Sequence, residues 1–291
     1  MVFFLPLLEC NKEKPKGKYS MQTPVIERSV LTIAGSDSCG GSGIQADMNT
    51  FAAFGVYGAS VITAVTARNT VGIQAVEPVS DRMIVDQMES IMEDLPICAI
   101  KTGMLPSVAG IAVLGEILGQ LTPRIPMVVD PVVIEPKGKE LAGDTILAAV
   151  RNHLFPLATV ITPNREEAEV LTGKPINSME EMEVAARKLL ELGPGAVFLK
   201  GGQFGSGDIT DILLTRNELF TFSHPAFKGR FHGTGCALSS AVAAGLAMDS
   251  ALLDAVKDAV EYVQECLRNS LAPVKGRVGL LGHRPRALNS R

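Results

Sequence analysis

The sequence predicts an α/β fold with a mostly parallel central sheet and helices on both faces. Short apolar runs rich in β-branched residues alternate with segments of helical periodicity along nearly the whole chain. Polar residues directly follow several of these runs, where parallel sheets bind ligands. No internal repeat, linker or second core divides the chain. We therefore expect one domain over residues 29–291 without a large separate lid, preceded by a poorly ordered extension at 1–28.

Composition narrows the functional class. The chain has 291 residues, of which 46% are hydrophobic and 20% charged, with a formal charge of −4. The absence of a basic stripe argues against a nucleic-acid partner, and no apolar run is long enough to span a membrane. The five cysteines contain no C-x-x-C pair. These features predict a cytoplasmic protein with reduced thiols and neither a disulfide nor a zinc framework.

The first half of the chain supplies four strands and three helices in alternation. A proline at position 106 suggests the first turn of the third helix, because proline is favoured there. The expected strands cover residues 29–34, 60–65, 99–101 and 127–130, and the helices cover 44–54 and 81–94 and begin at 106.

The second half continues the alternation and adds a hairpin. Asn164 can cap one helix with Glu167 at its third position, and Ser178 with Glu181 suggests a second capping box. The expected strands cover residues 159–161 and 196–200, the hairpin pairs 209–215 with 219–222, and the helices include 145–153, 234–248 and 250–271.

A glycine-rich loop follows the first strand. The letters GSGIQA at 41–46 match the dinucleotide fingerprint G-x-G-x-x-A, but the acidic residue expected about 20 positions later is missing. The chain also lacks the Walker pattern G-x-x-x-x-G-K-[ST]. We therefore interpret this loop as the floor or lid of a small-ligand site.

A second glycine turn, HGTGC at 232–236, opens directly onto an alanine-rich helix. The first turn of a helix leaves N–H groups unpaired at the positive end of its dipole, which favours an anion such as phosphate. Gly233 and Gly235 would let that anion approach the main chain. A tight turn capped by Thr234 explains the local pattern equally well, so both interpretations stay open at this point.

Phosphoryl transfer without a Walker motif needs a metal, a cation and a proton acceptor. Asp130 and Glu167 follow successive strands and suit Mg²⁺, although Glu167 can instead serve only to cap its helix. Lys200 can contact a nucleotide phosphate or be an exposed lysine. Cys236 lies in the first helical turn, where the dipole should lower its pKa and let it accept a proton. The alternative for Cys236 is a small buried residue.

Taken together, these motifs resemble the hydroxymethylpyrimidine/phosphomethylpyrimidine kinase family of the ribokinase-like superfamily. They occur in order over about residues 29–283, which makes the match far more specific than one glycine motif. The matching stretches are LTIAGSD at 31–37, GGSGIQAD at 40–47, VITA at 61–64, KTGML at 101–105, VDPV at 129–132, ITPN at 161–164, LKGG at 199–202 and HGTGC at 232–236.

The resemblance implies ATP-dependent phosphorylation of 4-amino-5-hydroxymethyl-2-methylpyrimidine and then of its monophosphate, in thiamine diphosphate biosynthesis. It implies a homodimer, makes the 233–236 turn an anion hole, and makes Cys236 the catalytic base in place of the aspartate of related sugar kinases. The resemblance assigns the heterocycle to Gly35, Asp47, Met104 and Val132, the anion hole to Gly233, Thr234 and Gly235, and Mg²⁺-ATP to Asp130, Asn164, Glu167 and Lys200.

Two departures from the family pattern bear on the substrate. Arg68 stands where family members usually carry glutamine, and arginine only donates hydrogen bonds, so it cannot accept one from a ring amino group. Another group then reads the amine, or the ring is a different one, such as pyridoxal with its ring oxygen. The substitution at position 68 can also be neutral drift at the pocket rim. For the protein as a whole, a non-catalytic pyrimidine sensor of the same fold is the alternative to a kinase. The segment IEPKG at 134–138 departs from the usual small-residue loop.

Overall fold

A computed structural model describes residues 26–132, 144–204, 207–273 and 275–285 of the protein. The strands are β1 Ser29–Asp37, β2 Tyr57–Asn69, β3 Gly72–Pro78, β4 Ile97–Thr102, β5 Met127–Val129, β6 Val160–Ile161, β7 Ala196–Gly202, β8 Ile209–Thr215, β9 Leu219–His224, β10 Arg230–His232 and β11 Val278–Leu280. The α-helices are α1 Gly43–Ala53, α2 Asp81–Met92, α3 Val108–Gly119, α4 Asp144–His153, α5 Arg165–Thr172, α6 Met179–Leu190, α7 Thr234–Ala247 and α8 Leu252–Arg268.

The central sheet has nine strands in the order β3-β2-β1-β4-β5-β6-β7-β8-β9. Strands β2, β1, β4, β5, β6 and β7 pair in parallel, whereas β3, β8 and β9 pair antiparallel at the two edges. The predicted mostly parallel sheet is therefore confirmed. The strand order reverses between β1 and β4, and such a switch point leaves a crevice at the carboxyl ends of the strands.

Helices cover both faces of the sheet, as the sequence predicts. Helices α2 to α6 pack on one face, where Ile84, Ile111 and Met182 are buried among the side chains of the strands. Helices α1, α7 and α8 pack on the other face around Phe51 and Val256. The alanine-rich sequence of α7 lets it lie close to the sheet, since its residues 237–245 are buried throughout.

Three strands, β3, β10 and β11, were not predicted from the sequence. Strand β3 follows β2 through a tight turn and lies almost entirely in solvent, so it lacks the buried alternation by which a strand is recognised. Strand β10 pairs in parallel with β11, far along the chain, in a separate two-stranded sheet. A pair of three-residue strands carries too short a pattern to be detected.

Three predicted helix caps need correction. Helix α3 begins at Val108 with Ser107 as its N-cap, so Pro106 precedes the helix and is not its first residue. Thr234 does not cap α7, because Gly233 occupies the cap position and no side chain bonds there. Ser178 accepts the predicted bond from the Glu181 N–H at 3.2 Å, but the Glu181 carboxylate accepts from Asn177 N.

The predicted extension at 1–28 lies mostly outside the described residues, as does the departing segment 134–138. At the end of the extension, Arg28 donates a hydrogen bond to the carbonyl of Ala247 at 2.9 Å and forms an ion pair with Asp249 at 2.7 Å. This part of the extension therefore packs against the end of α7. Within the described ranges, no helix is long and apolar enough to cross a membrane.

The cysteines follow the sequence prediction only in part. Cys39, Cys236 and Cys266 are free thiols. Cys98 is disulfide-bonded, so the expectation of reduced cysteines is wrong for that residue.

Candidate active site

A cavity of about 60 Å³ lies at the switch point between β1 and β4. Four of the five residues predicted to bind the heterocycle line it, together with Cys236, and these four are Gly35, Arg68, Met104 and Val132. Gly35 lies directly against Met104, so a Cβ at position 35 would displace the end of the flexible Met104 side chain. The strand ends thus bring together residues that are widely separated in sequence.

Asp47, the fifth predicted ring contact, lies beneath the cavity and does not line it. Its side chain is fully buried in α1, and both carboxylate oxygens are occupied by other protein groups. Thr32 Oγ1 donates to Oδ2 at 2.6 Å, Ser240 Oγ donates to Oδ1 at 2.7 Å, and Lys101 Nζ contacts both oxygens. In the ligand-free protein the Asp47 carboxylate is thus directed at Thr32, Lys101 and Ser240, and its assignment to the ring stays a prediction.

Cys236 is the third residue of α7 and reaches the wall of this cavity. The backbone N–H of Gly43, at the start of α1, donates to the sulfur, so the thiol lies between the N-termini of two helices. Burial nevertheless raises the pKa of Cys236 to about 11, against the opposing effect of the Lys101 charge. The lowered pKa expected from the helix dipole is therefore wrong for the ligand-free site, where the neutral thiol prevails at pH 7.

The turn before α7 is fitted against the glycine-rich loop that precedes α1. Gly233 has φ +78°, a left-handed conformation, and a Cβ there would collide with the carbonyl oxygen of Gly41. The peptide units of the two segments therefore lie in direct contact. This fixes the unpaired N–H groups at the start of α7 relative to the cavity.

A chain of polar contacts connects the cavity rim to both segments. Arg68 Nη2 lies 3.3 Å from His232 Nδ1, and His232 Nε2 lies 3.6 Å from Asp37 Oδ2. Because arginine only donates, Nδ1 accepts and the imidazole proton is on Nε2. Burial and the Arg68 charge lower the pKa of His232 to about 4, so the ring is neutral at pH 7. Asp37 in turn accepts from the N–H groups of Cys39 and Ser42, each at 2.9 Å.

Asp130 and Lys200 lie beside the turn that begins α7. Lys200 Nζ is 3.5 Å from Asp130 Oδ1, and a Cβ on Gly235 would lie 3.4 Å from that Nζ and 3.7 Å from Asp130 Oδ2. Thr162 and Ser239 also donate to the Asp130 carboxylate, at 3.1 and 3.2 Å. Lys200 is only 13% exposed, so the alternative of a freely exposed lysine is wrong.

Asn164 and Glu167 form the predicted capping box at the start of α5. The Asn164 side chain accepts from Glu167 N, and Glu167 Oε2 accepts from Asn164 N, both at 2.8 Å. The backbones of Asn164 and Lys200 also form an isolated parallel β-bridge. The cap occupies Oε2, so any contact of Glu167 with a metal would have to coexist with it.

A second cavity of about 340 Å³ opens on the other side of the α7 turn. Asn164, Lys200, Thr234 and Gly235 line it, as do several apolar residues of α8. Its volume lies within the range of small-molecule sites, roughly 300–1,000 Å³. The two cavities thus meet at residues 234–236.

Sequence reasoning missed a polar network in the larger cavity. Asp211 Oδ1 accepts from Gly201 N at 2.7 Å, and Asp211 Oδ2 contacts His224 Nε2 at 3.0 Å. Gln264 Nε2 lies 2.8 Å from His224 Nδ1. Burial opposes the charge on His224, but the contact with Asp211 outweighs it and raises the pKa of the ring. The signal available in the sequence was a charged residue, Asp211, inside the apolar run of β8.

Among the described residues, no three His, Cys, Asp or Glu side chains cluster closely enough to hold a metal by themselves. Asp130 and Glu167 follow the adjacent strands β5 and β6, which places two carboxylates at neighbouring strand ends. Oxygen donors of this kind and number suit Mg²⁺, which usually keeps several waters and binds the phosphates of the nucleotide. The donor set therefore fits a Mg²⁺ ion that arrives with a nucleotide.

The chain matches a family model described as phosphomethylpyrimidine kinase over residues 37–280. It is 40% identical over 264 residues to a hydroxymethylpyrimidine/phosphomethylpyrimidine kinase of Synechococcus elongatus, covering 87% of this chain and 96% of that protein. It is also 40% identical over 268 residues to a thiamine biosynthesis bifunctional protein of Geobacter sulfurreducens, covering 92% of this chain. The chain spans 53% of that longer relative.

Two solved structures share the fold over most of their length. A phosphomethylpyrimidine kinase from Clostridium difficile is 41% identical with a TM-score of 0.73, covering 82% of this chain and 98% of that one. A pyridoxal kinase from Staphylococcus aureus in complex with pyridoxal is 32% identical with a TM-score of 0.80, covering 88% and 93% of the two chains. Both likenesses cover more than four fifths of this chain and make its fold ribokinase-like.

Proposed function

The chain belongs to the phosphomethylpyrimidine kinase family, and from that premise we propose that it uses ATP to phosphorylate 4-amino-5-hydroxymethyl-2-methylpyrimidine and its monophosphate in thiamine diphosphate biosynthesis. The observation that carries the proposal is the meeting of two cavities at one helix start. Cys236 lines the smaller cavity, and Thr234 and Gly235 line the larger one. An acceptor and a nucleotide bound there would face each other across the unpaired N–H groups of α7.

Different residues around the start of α7 bind the nucleotide, bind the acceptor and stabilise the transferring phosphoryl group in this proposal. The larger cavity holds the nucleotide, with Asn164 and Lys200 beside its phosphates. The smaller cavity holds the acceptor ring between Gly35, Met104 and Val132. The N–H groups of residues 233–236 stabilise the charge that develops on the transferring phosphoryl group, which is the largest requirement in this chemistry.

Cys236 acts as the general base in this proposal. The O–H bond of the acceptor breaks, and its proton passes to the Cys236 thiolate. The electron pair left on oxygen forms the new bond to the γ-phosphorus while the bond from that phosphorus to the bridging oxygen breaks and ADP leaves. The thiol, with a pKa near 11, is a strong base once it has lost its proton, but little thiolate exists at neutral pH.

Mg²⁺ would be held by Asp130 and Glu167, directly or through water, and would neutralise phosphate charge. Asp130 is 3.5 Å from Lys200 in the ligand-free protein. Metal binding at Asp130 would free Lys200 to contact a phosphate oxygen. The protein thus holds the Asp130 carboxylate and the Lys200 ammonium close enough that one can bind the metal and the other the phosphate of the same nucleotide.

A coupled assay of ADP release over a panel of acceptors tests the function. We expect ATP- and Mg²⁺-dependent turnover of the hydroxymethylpyrimidine and its monophosphate, and weak turnover of sugars. The Cys236→Ala variant should lower kcat by about 10²–10⁴-fold, the usual contribution of a general base. Tight pyrimidine binding without ADP release would instead support a sensor, and an unchanged Cys236→Ala rate would remove the base assignment.

A second candidate function, phosphorylation of pyridoxal, is favoured by one residue. Arg68 lines the acceptor cavity, and its buried Nε has no hydrogen-bond partner in the part of the chain that the structure describes. A donor in this position suits an oxygen acceptor on the ring of pyridoxal better than the amino group of the pyrimidine. If pyridoxal is turned over in the panel and neither pyrimidine is, this function replaces the first.

We further propose that the enzyme works as a cytoplasmic homodimer, as the family resemblance implies. Support comes from the exposed apolar side chains on the β2–β3 ribbon, where Val65, Val71 and Val76 are 52%, 57% and 41% exposed. Sedimentation equilibrium of the purified chain distinguishes a dimer from a monomer.

A further inference from the structure

A pair of opposite charges is completely buried beneath the acceptor cavity. Lys101 in β4 and Asp47 in α1 are both 0% exposed, and Lys101 Nζ lies 2.9 and 3.0 Å from the two Asp47 oxygens. Removing two charges from water is costly, and apolar residues of similar size often stabilise a fold better than such a pair. Stability alone is therefore a poor explanation for this pair.

The Asp47 carboxylate is held rigidly by three different elements. Thr32 from β1, Ser240 from α7 and Lys101 from β4 all donate to it. Its lone pairs are thus taken up inside the protein, and it is directed at Lys101 and not at a ligand. Asp47 therefore acts as the fixed counterion that determines where the ammonium lies.

Lys101, in contrast, reaches the wall of the cavity that contains Cys236. A Cβ on Gly103 would lie only 3.0 Å from Lys101 Nζ, so the glycine keeps side-chain atoms away from that side of the ammonium. Burial by itself lowers the pKa of Lys101, but Asp47 outweighs burial and raises the pKa above its usual range. Lys101 consequently keeps its positive charge at every pH at which the enzyme would work.

The Lys101 charge acts on Cys236 against several opposing influences. Burial, Asp47 and Asp130 all raise the pKa of the thiol, whereas Lys101 and the Gly43 N–H lower it. Among the described residues, the other charged groups that line this cavity are Asp37 and Arg68. Among the groups that favour the thiolate, Lys101 has the largest effect.

We propose that Lys101 is a positioning residue for the reaction, whose buried ammonium, fixed by Asp47, stabilises the Cys236 thiolate that receives the acceptor proton. This inference rests on the proposed function, because a stabilised Cys236 thiolate contributes to catalysis only if Cys236 is the general base. Lys101 neither gives nor takes a proton in this step. A cation of constant charge behind the base lowers the energy of the charged form before the substrate arrives.

The test measures the thiol itself and not turnover. Methyl methanethiosulfonate, a small neutral reagent, converts a thiolate to a mixed disulfide, and mass spectrometry of the peptide containing Cys236 reports its rate at pH 8. One unit of pKa changes the thiolate fraction tenfold, and the accompanying change in nucleophilicity offsets roughly a third to a half of that effect on a logarithmic scale. A net change of about threefold in rate is therefore expected for each unit.

The proposal predicts opposite signs for two variants. Lys101→Met should slow modification of Cys236 by about threefold or more, since it removes the stabilising cation. Asp47→Asn should accelerate it to a similar degree, because the Lys101 charge is then less compensated. Thr32→Val removes a bond to the same carboxylate but leaves both charges, and should leave the rate within twofold of the unmodified protein.

A purely structural role for the pair gives a different pattern. Loosening of the fold would expose Cys236 and accelerate modification in both charge variants. Equal or faster modification of Lys101→Met, or equal or slower modification of Asp47→Asn, would overturn the proposal. Lys101→Met is therefore the deciding variant, because only loss of the cation slows modification, whereas both explanations predict faster modification of Asp47→Asn.

Turnover supplies an independent readout. Lys101→Met should lower kcat at pH 8 with little change in either KM, and raising the pH should recover part of the loss. If no acceptor is turned over by the unmodified protein, the proposed function fails while the modification rates still decide the role of Lys101.

Discussion

Arg68 is the side chain that we propose influences the choice of acceptor. It lines the smaller cavity, donates to the neutral His232 ring, and has a buried Nε with no hydrogen-bond partner among the described residues. An unsatisfied buried donor costs roughly 1–3 kcal/mol, and a ligand that accepts from it would recover that cost. The Arg68 side chain can therefore donate a hydrogen bond to an acceptor atom on the ring, but it cannot accept one from an amino group.

We expect Arg68→Gln to raise kcat/KM for the hydroxymethylpyrimidine and lower it for pyridoxal. Glutamine can both donate and accept, and one hydrogen bond of about 1.4 kcal/mol changes the preference about tenfold. Steady-state kinetics with both acceptors measures the ratio. Arg82→Gln makes the same chemical change at an exposed site on α2, where Arg82 pairs only with Asp86, and should leave the ratio unchanged. An unchanged ratio in Arg68→Gln would show that Arg68 does not select the ring.

At this scale the sequence identified the types of residue better than their surroundings. Arg68, Lys200 and Cys236 were found because each lies at a predicted strand end or begins a helix, whereas Met104 was assigned through the family resemblance. The burial that raises the pKa of Cys236 comes from packing across α1 and α7 and leaves no local mark in the sequence. Asp47 was assigned to the ring by the family resemblance, and its contacts with Thr32 and Ser240 could not be read from the sequence because both partners are distant along the chain.

At the scale of elements, the start of α7 depends on a backbone conformation that glycine alone adopts easily. Gly233 is left-handed and lies against the Gly41 carbonyl, so the turn has neither the dihedral freedom nor the space for a side chain. The N–H groups that would hold the phosphoryl group take their direction from this turn. Its geometry is therefore coupled to that of the loop before α1.

Gly233→Ala should lower kcat by about 10²-fold and also destabilise the protein. A misplacement of about 1 Å at a reacting centre costs on the order of 10²-fold in rate. Gly173→Ala is the matched control, because Gly173 has a similar φ of +67° at the end of α5 but no atom within 4 Å of an added Cβ. It should cost only the left-handed strain of about 1–2 kcal/mol and keep its turnover.

Thermal unfolding and steady-state kinetics of both variants separate strain from collision. If Gly233→Ala loses no more activity than Gly173→Ala, the contact with Gly41 has no part in forming the phosphoryl site.

The elements that the sequence predicted well are those with a buried face. The strands from β1 to β9 were found wherever an apolar run crosses the core, and the capping box of α5 was identified residue by residue. Strand β3 was missed because its side chains are almost all in solvent. The cap of α7 was assigned to Thr234 because a hydroxyl is the usual signal, whereas the contact that excludes a side chain at Gly233 is a tertiary one.

At the scale of the whole molecule, nucleotide binding should be visible as stability. A ligand that binds only the folded state at about 100 times its Kd adds about 2.7 kcal/mol, which corresponds to a Tm rise of several degrees for a chain of this size. In the proposed site the nucleotide would contact residues from the end of β5 to the start of α7, so the effect should be global and cooperative.

We expect a non-hydrolysable ATP analogue with Mg²⁺ to raise Tm by roughly 5 °C, and chelation of the metal to remove most of that rise. The Asp130→Asn variant lacks the carboxylate that we propose binds Mg²⁺ and thereby releases Lys200. It should therefore bind the analogue equally with and without Mg²⁺. Differential scanning fluorimetry measures both. A rise in Asp130→Asn that still depends on the metal would assign the ion to other ligands.

The contact between the Gly41 carbonyl and the Gly233 turn also concerns the order of folding. These two segments belong to opposite ends of the chain and are held against each other by β1 and α7, which pack in the same core. A nascent chain that ends before residue 233 therefore contains every strand of the central sheet and still lacks the floor on which phosphate would sit. The proposed phosphoryl site can form only after synthesis has passed residue 233, so chains that end before it should not consume ATP.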